Sequence, residues 1–393
     1  MKIKVSIIVA GKFHAFYLAE QLEKRNLLDK IITSYPKFLV SKYSISKNRI
    51  ISLPTKEIIE RICIKLKVSK ILKYLQYYLN FFFEIRASKK LNLDNINILV
   101  GWSGNTEKSF LKVLKNNNKV IKLLERGSSH ILFQDKILTE EYKIFSSNRK
   151  AIDQKIIDKE LREYNLADYI IVPSEFARNT FLQNNFKDEK IIKIPYGVDL
   201  SQFTKTKIKP KEFTIISVGS VSFRKGSYYL MKAFDQLKLP NSKLIFIGYI
   251  DPEIKDVIKP FARRGNIKFT GHIPQHKLKN FYNKAHLSII CSIEEGMAMV
   301  QAQAMASGVP LICTTNSGGA EIVDDNLNGF VCPIRNVEKL KEKILLLYRD
   351  RDMLNLFSEN AYSKAQQYFS WDSYGDRVHN AYEQIIKKHT KYD

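Results

Sequence analysis

The chain has 393 residues, 45% of them hydrophobic, which is enough for two domains that each bury a core. Lys and Arg number 64 against 40 Asp and Glu, so the formal net charge is +24. This charge favours lipids, nucleic acids or phosphorylated small molecules as partners, although a Lys-, Ile- and Asn-rich composition produces it without any functional demand. The spacing of the four cysteines argues against a zinc site and suits a reducing compartment.

The first predicted element is a strand within KVSIIVAG, residues 4–11. Its apolar run is short and no small-residue cleavage site follows, so the pattern indicates a strand rather than a signal peptide. No apolar run elsewhere is long enough to span a bilayer. We therefore expect a cytoplasmic protein and leave open a peripheral position at the inner face of the membrane.

Residues 70–86 are predicted to form one amphipathic helix. We expect its apolar side to pack on the sheet of the first domain, and docking on a membrane is the alternative. The residues on that side are Ile71, Leu72, Leu75, Tyr78, Leu79, Phe82 and Phe83.

Short β-branched runs alternate with helical stretches along the whole chain. Continuous apolar runs are typical of strands covered on both faces, so the alternation predicts an α/β fold with parallel sheets. The periodicity lapses in residues 191–213, which contain Pro195, Gly197 and Pro210. This break predicts two domains, residues 1–196 and 197–369, with a ligand cleft between them.

A strand-like run ends abruptly at Glu294, Glu295 and Gly296, just before a helix of small residues. The carboxyl ends of parallel strands open on the ligand crevice. The helix begins near Ala298 and offers free N–H groups and its positive dipole end to an anion. A carboxylate there suits a ligand with both sugar hydroxyls and phosphate. Helix-capping acids that bind no ligand would explain the pattern equally well.

Two more turns are predicted to open on the same crevice. Arg224 and Lys225 follow a strand and suit a diphosphate, although such a turn by itself is more often only solvated. Gly318 and Gly319 precede Glu321 and offer backbone N–H groups, although a Gly-Gly pair by itself is only a turn signal.

Taken together and in this order, the motifs resemble family 4 of the glycosyltransferases, the group 1 glycosyl transferases. The resemblance is most specific between residues 165 and 332, and IPYGVDLSQF at residues 194–203 is similar to the interdomain stretch of the family. It implies the GT-B fold: two facing Rossmann-like, doubly wound parallel-sheet domains with an interdomain cleft. It also implies that residues 370–393 form a helix that packs back on the first domain. The matching residues are Lys225, Gly226, Gly271, Glu295, Gly296, Gly308, Val309, Pro310, Gly318, Gly319, Glu321, Ile322 and Val323.

The resemblance implies transfer of a sugar from a nucleotide-diphosphate-sugar to a glycan or lipid-linked acceptor, with retention and without a metal or other cofactor. Glu295 would hold donor-sugar hydroxyls, and Lys225 with Arg224 would stabilise the departing diphosphate. His130 would reach the reacting centre, and His14 is a second candidate on the acceptor side. The remaining donor-binding residues would be Gly11, Gly296, Met297, Ala298, Met299, Gln303, Gly319 and Glu321.

Two departures from the family pattern keep alternatives open. Gln303 stands where the family has its second Glu, and Ser220 stands where it often has Arg. A non-catalytic partner that binds sugar-nucleotides is therefore one alternative. A nucleic-acid-binding protein is another, but the basic residues are scattered and no recognised module is present, so we expect no nucleic-acid partner. The donor and the acceptor are the expected partners, and peripheral contact with an anionic membrane is left open.

Overall fold

The computed structural model describes residues 3–66, 68–116, 119–147, 149–206 and 209–390. The strands of one sheet are β1 (Val5–Val9), β2 (Leu28–Thr33), β3 (Ile50–Ser52), β4 (Ile98–Trp102), β5 (Ile121–Glu125), β6 (Tyr169–Val172) and β7 (Ile191–Lys193). Those of the other are β8 (Phe213–Val218), β9 (Ser242–Ile247), β10 (Ile267–Phe269), β11 (Leu287–Ile290), β12 (Leu311–Thr314) and β13 (Gly329–Cys332).

The first sheet is accompanied by α1 (Ala15–Lys24), α2 (Lys37–Val40), α3 (Thr55–Lys65), α4 (Ser69–Lys90), α5 (Glu107–Lys115), α6 (Ile131–Ile144), α7 (Gln154–Leu166) and α8 (Glu175–Leu182). The later helices are α9 (Ser227–Leu237), α10 (Lys255–Ala262), α11 (Gln275–Tyr282), α12 (Met299–Ala306), α13 (Val337–Arg349), α14 (Arg351–Tyr368) and α15 (Trp371–Thr390). None of the described helices combines the length and the hydropathy needed to cross a bilayer.

Both sheets are parallel and doubly wound. The strand orders are β3-β2-β1-β4-β5-β6-β7 and β10-β9-β8-β11-β12-β13. In each sheet the order reverses beside the first strand, which places a crevice at the carboxyl ends of β1 and β8. Strands β1, β4, β5, β11 and β12 are buried at every residue, which explains their continuous apolar runs. The predicted α/β class with two parallel sheets is confirmed.

The last helix returns to the first domain. The rings of Trp371 on α15 and Tyr17 on α1 stack with centroids 4.0 Å apart, and Arg25 pairs with Asp376 at 2.5 Å. A Cβ at Gly197 would lie 2.9 Å from the Cα of Trp371, so this crossing leaves no room for a side chain. Residues 1–2 of the predicted first domain and residues 391–393 of the predicted last helix lie outside the described residues.

Helix α4 packs differently from the prediction. Phe83 and Ala87 are buried in the core of the first domain, whereas Tyr78 and Phe82 are 60% and 48% exposed. The expectation that Tyr78 and Phe82 pack on the sheet is therefore wrong. Leu75, also on the predicted apolar side, is 38% exposed. Phe83 does reach the core as expected, in the cluster that contains Phe110 and Val113 of α5. The side chain of Ile71 lies outside the described ones.

Candidate active site

A cavity of about 820 Å³ lies between the two domains. Its walls are loops at the carboxyl ends of strands from both sheets, as expected for facing doubly wound domains. The first domain contributes Phe13, His14, Trp102, Ser103, Arg126, Gly127, Ser128, Gln134, Glu160 and Tyr196. The second contributes Gly219, Ser220, Arg224, Lys225, Tyr249, His272, Glu295, Met297, Ala298, Met299 and Gln303, among others.

Glu295 lies on the cavity wall between two cations. Lys225 Nζ contacts its Oε2, and Arg224 Nη2 lies 3.6 Å from its Oε1. Burial raises the pKa of Glu295, but Lys225 and Arg224 outweigh burial and hold that pKa below its ordinary value. The site therefore combines an ionised carboxylate, which accepts hydrogen bonds, with two cations that suit a diphosphate.

Glu294, one residue earlier, is fully buried and joins the two domains. Its carboxylate accepts hydrogen bonds from Ser128 Oγ at 2.5 Å, Ser129 N at 3.0 Å and Ser129 Oγ at 2.7 Å. Gln134 Nε2 at 2.8 Å and Arg224 Nε at 2.9 Å also donate to it. Burial raises the pKa of Glu294, but Arg224 and these hydrogen bonds lower it to about 2. Glu294 thus fixes Arg224 against the first domain.

The turn at Gly296 is held between three backbone segments. A Cβ at Gly296 would lie 2.3 Å from the carbonyl oxygen of Gly127 in the first domain. Gly318 has φ +66°, and a Cβ there would lie 2.0 Å from the carbonyl oxygen of Gly296. Ser174 Oγ also donates to Gly296 O at 2.6 Å. Both glycines are required by close backbone approach, and this places Met297, Ala298 and Met299, at the start of α12, on the cavity.

Gln303 and Ser220, the two departures from the family pattern, both line the cavity. Gln303 is 4% exposed, and its Oε1 lies 3.4 Å from the hydroxyl of Tyr282. That hydroxyl also donates to Val300 O at 3.0 Å. The amide of Gln303 is therefore anchored on the cavity wall, beside the start of α12.

Comparison with known proteins identifies the second domain. Residues 199–364 match the family model described as Glycosyl transferases group 1. The second domain is therefore similar to the group 1 glycosyltransferases. Among curated relatives, the putative colanic acid biosynthesis glycosyltransferase WcaL of Salmonella typhimurium is 27% identical over 195 residues, which cover 46% of this chain and 48% of WcaL. The chain spans about half the length of the curated relatives it matches.

Solved structures resemble the whole chain. Sucrose-phosphate synthase from Thermosynechococcus elongatus has a TM-score of 0.69 at 17% identity, covering 98% of this chain and 100% of that one. HepE of Anabaena, in complex with UDP and glucose, has a TM-score of 0.67 at 15% identity, covering 97% of this chain and 99% of that one. At these identities the likeness concerns the fold, and it confirms the GT-B architecture of the chain.

His130 lies away from the cavity, which differs from the expectation that it reaches the reacting centre. It caps α6, where its Nδ1 accepts a hydrogen bond from Leu132 N at 3.3 Å. The ring is 1% exposed and packs against Tyr164 and Phe181. Burial, with a contribution from Arg126, lowers the pKa of His130 to about 4. These contacts give His130 a structural role in the first domain.

Glu321 and Gly319 also lie outside the cavity. The carboxylate of Glu321 accepts from Glu175 N and pairs with Lys193 Nζ at 3.0 Å, so it joins the second domain to the first. A Cβ at Gly319 would lie 2.4 Å from Cys313 Sγ, so this glycine is required by packing.

The loop between β1 and α1 brings His14, not Gly11, to the cavity. His14 Nε2 lies 3.3 Å from Glu125 Oε2, and its ring centroid is 4.2 Å from that of Tyr196 and 5.1 Å from that of Trp102. Together these residues form a largely aromatic wall in the first domain.

Arg126 is a cation of the cavity that the sequence motifs did not reveal. Its Nη1 pairs with Glu160 at 2.8 Å, and its Nη2 donates to Gln134 Oε1 at 2.8 Å. Through Gln134, Arg126 is connected to Glu294. Arg126 directly follows β5, so the rule that strand exits line the crevice would have found it in LLERGSSH, residues 123–130.

Proposed function

We propose that this protein is a group 1 glycosyltransferase, a retaining enzyme that moves a sugar from a nucleotide-diphosphate-sugar to a glycan or lipid-linked acceptor, without a metal or other cofactor. The observation that carries the proposal is the cluster of Glu295, Lys225 and Arg224 on the wall of the interdomain cavity. Sugar hydroxyls and a diphosphate are the two ligand groups that such a cluster matches.

In this proposal Lys225 and Arg224 stabilise the negative charge that builds up on the diphosphate as its bond to the sugar breaks. Preorganised cations in a partly enclosed site stabilise such charge without reorganising at the moment of reaction. Without donor, Glu295 contacts both cations, and Glu294 also pairs with Arg224. The entering diphosphate takes over this pairing, and Glu295 then accepts hydrogen bonds from the donor sugar.

The acceptor would bind on the first-domain side. There His14, Trp102 and Tyr196 offer ring faces and a nitrogen, a combination that suits the apolar face and the hydroxyls of a sugar. The likeness to WcaL supports a role in polysaccharide biosynthesis. HepE was solved with UDP, which supports a nucleoside diphosphate as the leaving group.

A non-catalytic sugar-nucleotide-binding partner remains the second candidate. Gln303 lines the cavity and carries no charge, so its contact with a ribose diol would be weaker than that of a carboxylate. Catalysis therefore has to be measured as well as binding.

A screen of nucleotide-sugars tests both candidates. Thermal unfolding of the purified chain should shift upward with the correct donor, because a ligand at about a hundred times its Kd stabilises a protein by about 2.7 kcal/mol. Slow release of nucleoside diphosphate from the same donor supports the enzyme. Stabilisation without release, even when candidate acceptors are added, favours the non-catalytic partner.

A further inference from the structure

Two helices of the first domain expose an unusual concentration of apolar side chains. Of the eighteen large hydrophobic residues exposed in the described chain, eight lie between residues 58 and 82. Helices α3 and α4, which carry most of them, pack against each other. We call these eight side chains and the exposed cations around them the α3–α4 surface. The eight are Ile58, Ile62, Ile64, Leu66, Leu75, Tyr78, Phe81 and Phe82.

The exposed residues follow helical spacing. Ile58 and Ile62 are four residues apart on α3, so they lie on one side of that helix. On α4, Tyr78 and Phe82 are also four apart, while Phe83 on the adjacent side is buried. The core of the first domain thus already occupies one side of α4, and the exposed side is a second apolar face that no described residue covers.

Helix α4 is held firmly in this orientation. Glu84, which is fully buried, accepts a hydrogen bond from Lys108 N of α5 at 2.8 Å and pairs with Lys159 of α7. Because three helices share this buried pair, rotating α4 to bury Phe82 would break it. Removing one partner of a buried ion pair is strongly destabilising. The exposed face is therefore a stable property of the fold.

The charges around this face are positive. Residues 55–90 contain nine Lys and Arg but three Glu. Glu57 and Glu60 pair with Arg61 and Lys56 within α3, and Glu84 is buried, so no carboxylate on the described parts of α3 and α4 is exposed.

Exposed lysines and one arginine that borders a ring accompany this face. Lys65, Lys89 and Lys90 are exposed. Arg86 lies 5.5 Å from the centroid of Phe82. The face therefore combines aromatic and aliphatic side chains with long cationic ones.

We propose that the α3–α4 surface docks the protein on a membrane that contains anionic lipids. Aromatic and aliphatic side chains insert at the boundary between headgroups and acyl chains, while Lys and Arg extend to the lipid phosphates. A protein partner is disfavoured, because the cores of protein interfaces are depleted in Lys. The inference does not depend on the transfer reaction; if that reaction holds, the domain that binds the acceptor is the one held at the lipid.

Vesicle flotation with the full-length chain tests the proposal. The probes are vesicles of phosphatidylcholine alone and of phosphatidylcholine mixed with phosphatidylglycerol, at low and at high salt. The wild type should bind the anionic vesicles at low salt, and high salt should weaken this binding. Tyr78→Ser combined with Phe82→Ser should weaken it at least tenfold. Leu356→Ser combined with Tyr368→Ser is the matched control, since those side chains are 58% and 57% exposed in the second part of the chain.

Several outcomes would overturn the proposal. Absence of wild-type binding, equal binding to neutral vesicles, or unchanged binding by the Tyr78 and Phe82 variant would each do so. A dimer in analytical ultracentrifugation that this variant abolishes would make a second copy of the chain the occupant instead. Donor-induced thermal stabilisation, measured on the same variant, shows that the protein is folded and reports on the interdomain site separately.

Discussion

Replacing Glu294 by Gln tests how the two domains are held together with Arg224, the cation proposed to bind a diphosphate. The carboxylate is fully buried, carries a negative charge opposite Arg224 and accepts bonds from Ser128, Ser129 and Gln134. An amide keeps the volume but loses the charge. Every described partner of the Glu294 side chain is a hydrogen-bond donor. The NH₂ group of a Gln would therefore face donors and leave them without an acceptor.

The magnitude follows from the pKa of Glu294. A fall from 4.5 to about 2, at about 1.4 kcal/mol per unit, corresponds to about 3 kcal/mol of stability at neutral pH. Loss of one member of a buried ion pair costs a similar amount, about 3–5 kcal/mol. We therefore expect Glu294→Gln to lower the free energy of unfolding at pH 7 by about 3 kcal/mol.

The pH dependence has a defined sign. Because the folded pKa of Glu294 is depressed, its stabilisation is present above the unfolded value of 4.5 and is lost as the pH falls toward 2. The difference between the wild type and Glu294→Gln should therefore be largest near pH 7 and mostly gone by about pH 2.

Urea denaturation of both proteins at several pH values measures this difference. Glu338→Gln serves as the control, because Glu338 is exposed and pairs with Lys341 at the surface; it should change stability by less than about 0.5 kcal/mol. A Glu294→Gln protein that is as stable as the wild type at pH 7 would refute the reasoning. A deficit that does not change with pH would show that packing, and not the charge, is responsible.

Three further predictions concern the interdomain cavity. Lys225→Ala and Glu295→Ala should each lower donor turnover by about a hundred- to a thousandfold, as when other preorganised charge stabilisers are removed. The control Lys341→Ala removes another paired lysine and should leave turnover unchanged. Equal rates of nucleoside diphosphate release in the wild type and the two site variants would contradict the site assignment. Gln303→Glu should raise nucleotide affinity by about 1 kcal/mol or less, and the variant should lose more affinity than the wild type when the nucleotide lacks its 2′-hydroxyl. If calorimetry shows the same loss of affinity for the 2′-deoxy nucleotide in both proteins, Gln303 does not touch the ribose. Turnover should persist in excess chelator, and activity that is lost there but restored by Mg²⁺ or Mn²⁺ would argue for a metal.

The residues at the carboxyl ends of the strands could be predicted from the sequence, because a strand and its end are defined by the local pattern of apolar residues. A buried parallel strand is a short apolar run, and the residue that ends it lies at an edge of the sheet. For this reason Glu295 and Lys225, from the exits of β11 and β8, do share one cavity. The same rule applied to LLERGSSH would have pointed to Arg126 rather than to His130.

The direction of each side chain could not be predicted in the same way. Glu294 and Glu295 are neighbours in one turn, yet the first is buried among first-domain donors and the second lies on the cavity. His130 follows a strand exit as well, but it caps α6 and packs in an aromatic cluster. These differences depend on how a distant segment packs against the turn.

By itself, the amino-acid sequence determined the α/β class, the two-domain division and the amphipathic character of α4, because strand and helix periodicity are local properties of the chain. Only the tertiary structure decided that Phe83 faces the core while Phe82 faces outward, and that Glu321 holds the domains together. The spacing of residues along a helix tells which side chains share a side of it. It does not tell which side of the helix faces the core. Which of them is buried depends on contacts between residues far apart in the chain, such as those of Glu84 with Lys108 and Lys159.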